Sequence, residues 1–148
     1  MPDILNRVEV RASANDTYRA LATADGIARW WTTDTKGGGA VGSTIKFTFG
    51  TRGFFDMKVL ELAPGKRVLW QVVDGPEDWV GTKIGFDLKE DNGSTVILFK
   101  HQDWKEASEF MHHCSTKWAT FLMSLKSLLE TGKGAPFPND IHITVNWD

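Results

Sequence analysis

The chain has 148 residues, 17 Lys and Arg against 19 Asp and Glu, and a formal net charge of −2, with 11% aromatic side chains. That length suits a single domain burying about two thirds of its unfolded surface, and the charge balance excludes the electrostatic footprint of nucleic-acid or anionic-membrane binding. No apolar run approaches the ~18 residues of a membrane span, Met1–Val10 carries charges where a secretion signal has an apolar stretch, and the lone Cys114 cannot form an internal disulfide, so a cytoplasmic protein without membrane insertion is expected.

Val8, Val10 and Ala12 alternate with Arg7, Glu9 and Arg11, the period-two pattern of a half-buried strand over Arg7–Ala12. Ser13 with Asp16 three residues on predicts a helix start, followed by Tyr18, Leu21 and Ala22. Thr23 caps a second short helix over Asp25–Trp31, and Lys36–Gly42 reads as a flexible glycine-rich loop. Five strands are then expected at Thr44–Phe49, Phe54–Leu62, Arg67–Asp74, Trp79–Lys89 and Ser94–Trp104. The turn residues between them, such as Pro64-Gly65 and Asp91-Asn92-Gly93, make the series an antiparallel meander. Asp103 with Glu106 predicts the cap of a long helix over Lys105–Thr131, whose Phe110, Met111, Cys114, Trp118, Phe121, Leu122, Leu125, Leu128 and Leu129 form one apolar stripe. Gly132 and Gly134 end it, and Pro136 and Pro138 keep it from resuming.

This order predicts an α+β helix-grip fold: a curved antiparallel β-sheet of about six strands wrapped around a long C-terminal α-helix, with two short helices between strands one and two. Residues 1–134 read as the core of the domain and 135–148 as an extension. Its Ile141–Trp147 alternates like an extra edge strand, able to pair with this subunit's sheet or with a second copy in a homodimer.

Four segments carry a resemblance: Gly26–Trp31 after the first helices, Val59–Arg67 around the central hairpin, His101–Trp104 before the long helix, and Trp118–Leu129 with Gly132–Gly134. In this order and spacing the chain resembles the START-like (SRPBCC) superfamily, in the branch named after the activator of heat-shock protein 90 ATPase. The resemblance implies the helix-grip fold and, by the branch name, a chaperone partner. It leaves function open among lipid carriers, cyclases and cochaperones. The separate amino-terminal domain usual in the chaperone activators has no counterpart in this sequence.

Seven Trp and nine Phe against one Tyr favour holding a flat, apolar ligand, such as a lipid or polyketide-like molecule, though the same side chains can simply fill a core. The expected lining of a cavity between sheet and helix is Trp30, Phe47, Phe49, Trp70, Trp79, Phe86, Phe99, His101, Met111 and Trp118. His101 shares a strand face with Ile97 and Phe99. It either meets a ligand as hydrogen-bond donor, acid or base, or is a satisfied structural histidine. Asp56 and Glu61 fall on opposite faces of one strand, so one at most joins His101 in a cyclase- or aromatase-like site.

Other patterns are set aside. His112, His113 and Cys114 diverge around a helix and cannot converge on one ion, so no metal is expected, nor any cofactor. Gly37–Gly42 matches G-x-G-x-x-G, but a helix precedes it and a strand follows, the reverse of a dinucleotide site. A partner protein would find apolar surface at Trp30-Trp31 or at Trp147.

Overall fold

In the computed structural model, which describes residues 1–145, strand β1 spans Ile4–Val10 and is followed by helices α1 (Ala14–Ala22) and α2 (Ala24–Ile27). Strands β2 (Asp34–Gly37), β3 (Thr44–Thr48), β4 (Phe54–Ala63), β5 (Arg67–Asp74), β6 (Lys83–Asp91) and β7 (Ser94–Gln102) come next, and helix α3 (Glu109–Thr131) closes the series. The strands form one seven-stranded sheet in the order β1-β7-β6-β5-β4-β3-β2, every pairing antiparallel.

Alternation decides which face is buried. Along β7 Thr95, Ile97, Phe99 and His101 point inward, as do Val68, Trp70 and Val72 on β5 and Ile45 and Phe47 on β3. Across this concave face α3 lays Cys114, Trp118, Phe121, Leu122, Leu125 and Leu128. Each such side chain contributes about 1.5–3 kcal/mol on leaving water, which makes this single layer the main source of stability. Local signals agree with it: the Ser13 hydroxyl accepts from the Asp16 amide at 3.0 Å, and the Thr23 hydroxyl from Gly26 at 3.0 Å.

Four boundaries differ from expectation, each for a physical reason. Strand β1 runs three residues earlier because Ile4, buried, pairs with His101 across the edge. The loop expected at Lys36–Gly42 begins as β2, a short and mostly exposed edge strand with no apolar alternation to signal it, which brings the sheet to seven strands. Trp79–Thr82 is a turn, since the amides of Trp79 and Val80 bond back to the Pro76 carbonyl. Helix α3 starts at Glu109, capped by the Ser108 hydroxyl at 3.2 Å from the Met111 amide, because the chain first bends at Asp103 (φ 73°) to drive Trp104 into the core.

The tail also departs. Ile141–Val145 forms no strand; instead Phe137 bridges Thr32, its amide donating to the Trp31 carbonyl at 2.8 Å and its carbonyl accepting from Thr33 at 3.1 Å. Trp147 lies outside the described residues. No described helix is long and apolar enough to cross a membrane.

Candidate functional site

The centre of the grip is filled with rings. Trp31, at the end of the α2 segment, packs against Phe47 (centroids 4.5 Å apart), Trp118 (4.9 Å) and Trp70 (6.3 Å). Phe86 meets Trp70 and Phe99 at 5.2 Å each, and Phe99 meets Trp118 at 4.6 Å. Trp30 is fully buried, its indole N–H donating to the Ala20 carbonyl at 2.8 Å. The Trp30-Trp31 pair is therefore core, at 0% and 2% exposure, and offers no surface patch.

Space opens at one end of the grip, where the β3–β4 hairpin and the β5–β6 turn face the amino-terminal half of α3. There a cleft of about 260 Å³ is walled by Trp31, Phe49, Phe54, Phe55, Trp79, Phe110, Trp118, Phe121 and Phe137. Its polar rim is Arg52, His113, Lys117 and Asp140, with Cys114 at its floor. The α3 contribution, positions 110, 113, 114, 117, 118 and 121, is one helical face at three- and four-residue spacing. Tail residues Phe137 and Asp140 supply the last wall.

Of the residues expected to line a cavity, Phe49, Trp79 and Trp118 stand on the cleft wall. Trp30, Phe47, Trp70, Phe86 and Phe99 are interior packing beneath it, and Met111 is half-buried on α3 against the core. The expected lining missed Trp31, Phe54, Phe55, Phe110, Phe121 and Phe137. The first carried a signal, adjacency to Trp30 on a segment of helical period, while Phe137 sits behind two prolines and carried none.

His101 is fully buried behind the cleft. The Trp118 indole can only donate, so at 3.0 Å it makes His101 Nδ1 the acceptor; Nε2 then carries the proton and donates to the Thr82 hydroxyl at 2.8 Å. That hydroxyl donates in turn to the Trp79 carbonyl at 2.6 Å. The imidazole is thus neutral with both nitrogens committed, and burial pushes its pKa down to about 3. Its task in this geometry is to hold Trp118 and the Trp79 turn, both cleft walls, in register.

The other chemical candidates lie elsewhere. Asp56 pairs with Lys46 at 3.5 Å and Glu61 with Arg67 at 3.4 Å, both away from the cleft wall. His112 donates to the Ser108 carbonyl at 2.8 Å, His113 stacks on Phe110, and Cys114 turns inward. Burial pushes the Cys114 thiol up to about 12; Trp79 opposes the rise and the Asp78 charge adds to it, both to a lesser extent. Among the described residues no three His, Cys, Asp or Glu side chains gather as a metal site would require.

Residues 11–130 match the family model described as "Activator of Hsp90 ATPase homolog 1-like protein". No curated protein matches the chain. Among solved structures, the Aha1 dimer from Colwellia psychrerythraea is 49% identical, with a TM-score of 0.84 over 90% of this chain and 100% of that one. A protein of Staphylococcus saprophyticus is 16% identical with a TM-score of 0.75, over 90% of this chain and 95% of that one. One from Mesorhizobium loti is 17% identical with a TM-score of 0.76, over 86% and 96%. The last two share the fold alone.

Proposed function

We infer that this chain, which belongs to the Activator of Hsp90 ATPase homolog 1-like family, binds a small, flat, apolar molecule in the cleft between α3, the β3–β4 hairpin and the tail. The observation that carries this reading is the wall itself: nine aromatic side chains around an open volume of about 260 Å³, at the lower edge of small-molecule sites. Such a volume suits roughly one or two fused rings, or one end of a longer molecule. A cyclase or aromatase reading lacks a residue to carry it, since His101 is committed at both nitrogens and neither Asp56 nor Glu61 lines the cleft.

The test is titration with 2-naphthamide, a neutral fused-ring probe, followed through the indole N–H signals by NMR. Binding shifts Trp79 and Trp118 first and leaves Trp104, outside the wall, largely unmoved. A titration in which no indole signal moves at millimolar probe sinks the reading.

A homodimer is the second reading, supported by the 49% identical Aha1 dimer. Sedimentation equilibrium that returns the mass of one chain at tens of micromolar removes it. Regulation of a heat-shock chaperone ATPase rests on the family description alone, and an ATPase assay with the cognate chaperone decides it by the presence or absence of stimulation.

A further inference from the structure

We propose that the molecule held in the cleft carries an anionic group, a carboxylate being the simplest, and that Arg52 selects it. The proposal rests on the cleft reading above and adds the charge of the ligand to it.

The argument is a census of charge on the wall. The cleft is lined by two permanent cations, Arg52 and Lys117, and by one carboxylate, Asp140. Asp140 is already neutralised: its side chain is 2% exposed, and Lys117 Nζ lies 2.6 Å from Oδ2 while also donating to the Ile141 carbonyl at 2.5 Å. Breaking that pair would strand a buried charge, so Lys117 is committed to Asp140 and is not the cation left for a ligand. Arg52 differs. It sits in the β3–β4 hairpin, makes neither an ion pair nor a side-chain hydrogen bond with any described residue, and rests over the Phe137 ring at 5.5 Å from its centroid. A ring contact uses none of the five guanidinium N–H donors, so the fork that matches a planar carboxylate stays open beside an apolar wall.

Magnitudes favour the local charge over the global one. The whole chain carries −2, a weak repulsion for an anion, and at physiological ionic strength charges beyond ~8 Å are largely screened. An anionic group within hydrogen-bond reach of Arg52, with its rings excluding water from one side, is screened far less. A cationic ligand meets the opposite field from Arg52 and has only the ring faces to replace its hydration. Arg52 is thus a specificity residue, and the aromatic walls supply the affinity that it directs.

Two probes of one shape isolate the charge: 2-naphthoate and 2-naphthamide, titrated against the full chain with the indole signals as readout. The expected result is that naphthoate binds about tenfold more tightly than naphthamide, the worth of one charge-assisted contact. Arg52→Gln brings naphthoate down to the affinity of naphthamide, Arg52→Lys keeps part of the preference, and added salt narrows it. Lys58→Gln, an exposed cation on β4 away from the cleft, leaves the ratio at its wild-type value. Equal binding of the two probes, or a preference that survives in Arg52→Gln, overturns the anionic ligand and leaves the apolar cleft standing. If neither probe moves the Trp79 and Trp118 signals, the cleft reading itself falls and this proposal with it.

Discussion

His101 shows how a single buried titratable group ties structure to solution conditions. In the unfolded chain its imidazole takes up a proton near pH 6.5, whereas in the folded chain it resists until about 3, held neutral by burial. Protonation therefore favours the unfolded state between those values. Stability contributed by this site is complete above about pH 6.5 and falls as the pH drops toward 3, by at most ~1.4 kcal/mol per pH unit. Denaturant titrations from pH 7 to 4 on the wild type and His101→Gln, whose amide keeps one donor and one acceptor, measure it. The wild type loses stability more steeply, and parallel curves would mean that folding leaves the His101 pKa where the unfolded chain has it. The thiol of Cys114 makes a companion case: pushed up to about 12 and 5% exposed, it resists iodoacetamide at pH 8 until denaturant opens the core. Sequence alternation put His101 on the inner face, but its two partners lie 17 and 19 residues away, so the choice between ligand contact and structural role was not legible without the fold.

At the scale of elements, the informative junction is where the tail crosses α3. The Ser124 hydroxyl donates to the Trp30 carbonyl at 2.8 Å and accepts from the Ala135 amide at 2.8 Å, joining helix, α2 segment and tail through one atom. Gly134 lies so close that an added Cβ would sit 2.4 Å from the Arg29 carbonyl oxygen. Gly134→Ala forces backbone apart and costs about 1–3 kcal/mol. Ser124→Ala removes a shared hydroxyl from a buried site and costs about 1–3 kcal/mol by orphaning both partners. Both are read from denaturant midpoints. In both variants the Trp31 indole signal moves, since Phe137 is bonded to the Trp31 backbone, and an unmoved Trp31 signal would uncouple the tail from the cleft. Strands β3, β5 and β7 and the body of α3 were legible because their apolar period matches their burial. Strand β2 was not, being a polar edge, and the start of α3 was displaced because burial of Trp104 overrode an available cap at Asp103.

For the molecule as a whole, element order was enough to specify the helix-grip, since a meander followed by one long amphipathic helix has few ways to bury both apolar faces. The cleft was not legible to the same degree. Its wall is assembled from five places far apart in the chain, and whether a ring fills the core or faces open space depends on fractions of a strand's length. A ligand seated there stabilises the fold by mass action, so a probe at a hundred times its Kd raises the melting temperature by about 5–10 °C. A melting temperature indifferent to a probe that moves the indole signals would place the probe on the outside. The tail has a consequence of another kind. Its Phe137 and Asp140 complete the chamber, and the contacts that join it to the rest include the backbone bonds of Phe137, the Ser124 hydroxyl and the Lys117–Asp140 pair. Sheet and helix make a durable vessel; the segment from Phe137 to Asp140 is its stopper. On the cleft reading, exchanging that stopper re-cuts the taste of the vessel for its contents while sheet and helix keep their own packing.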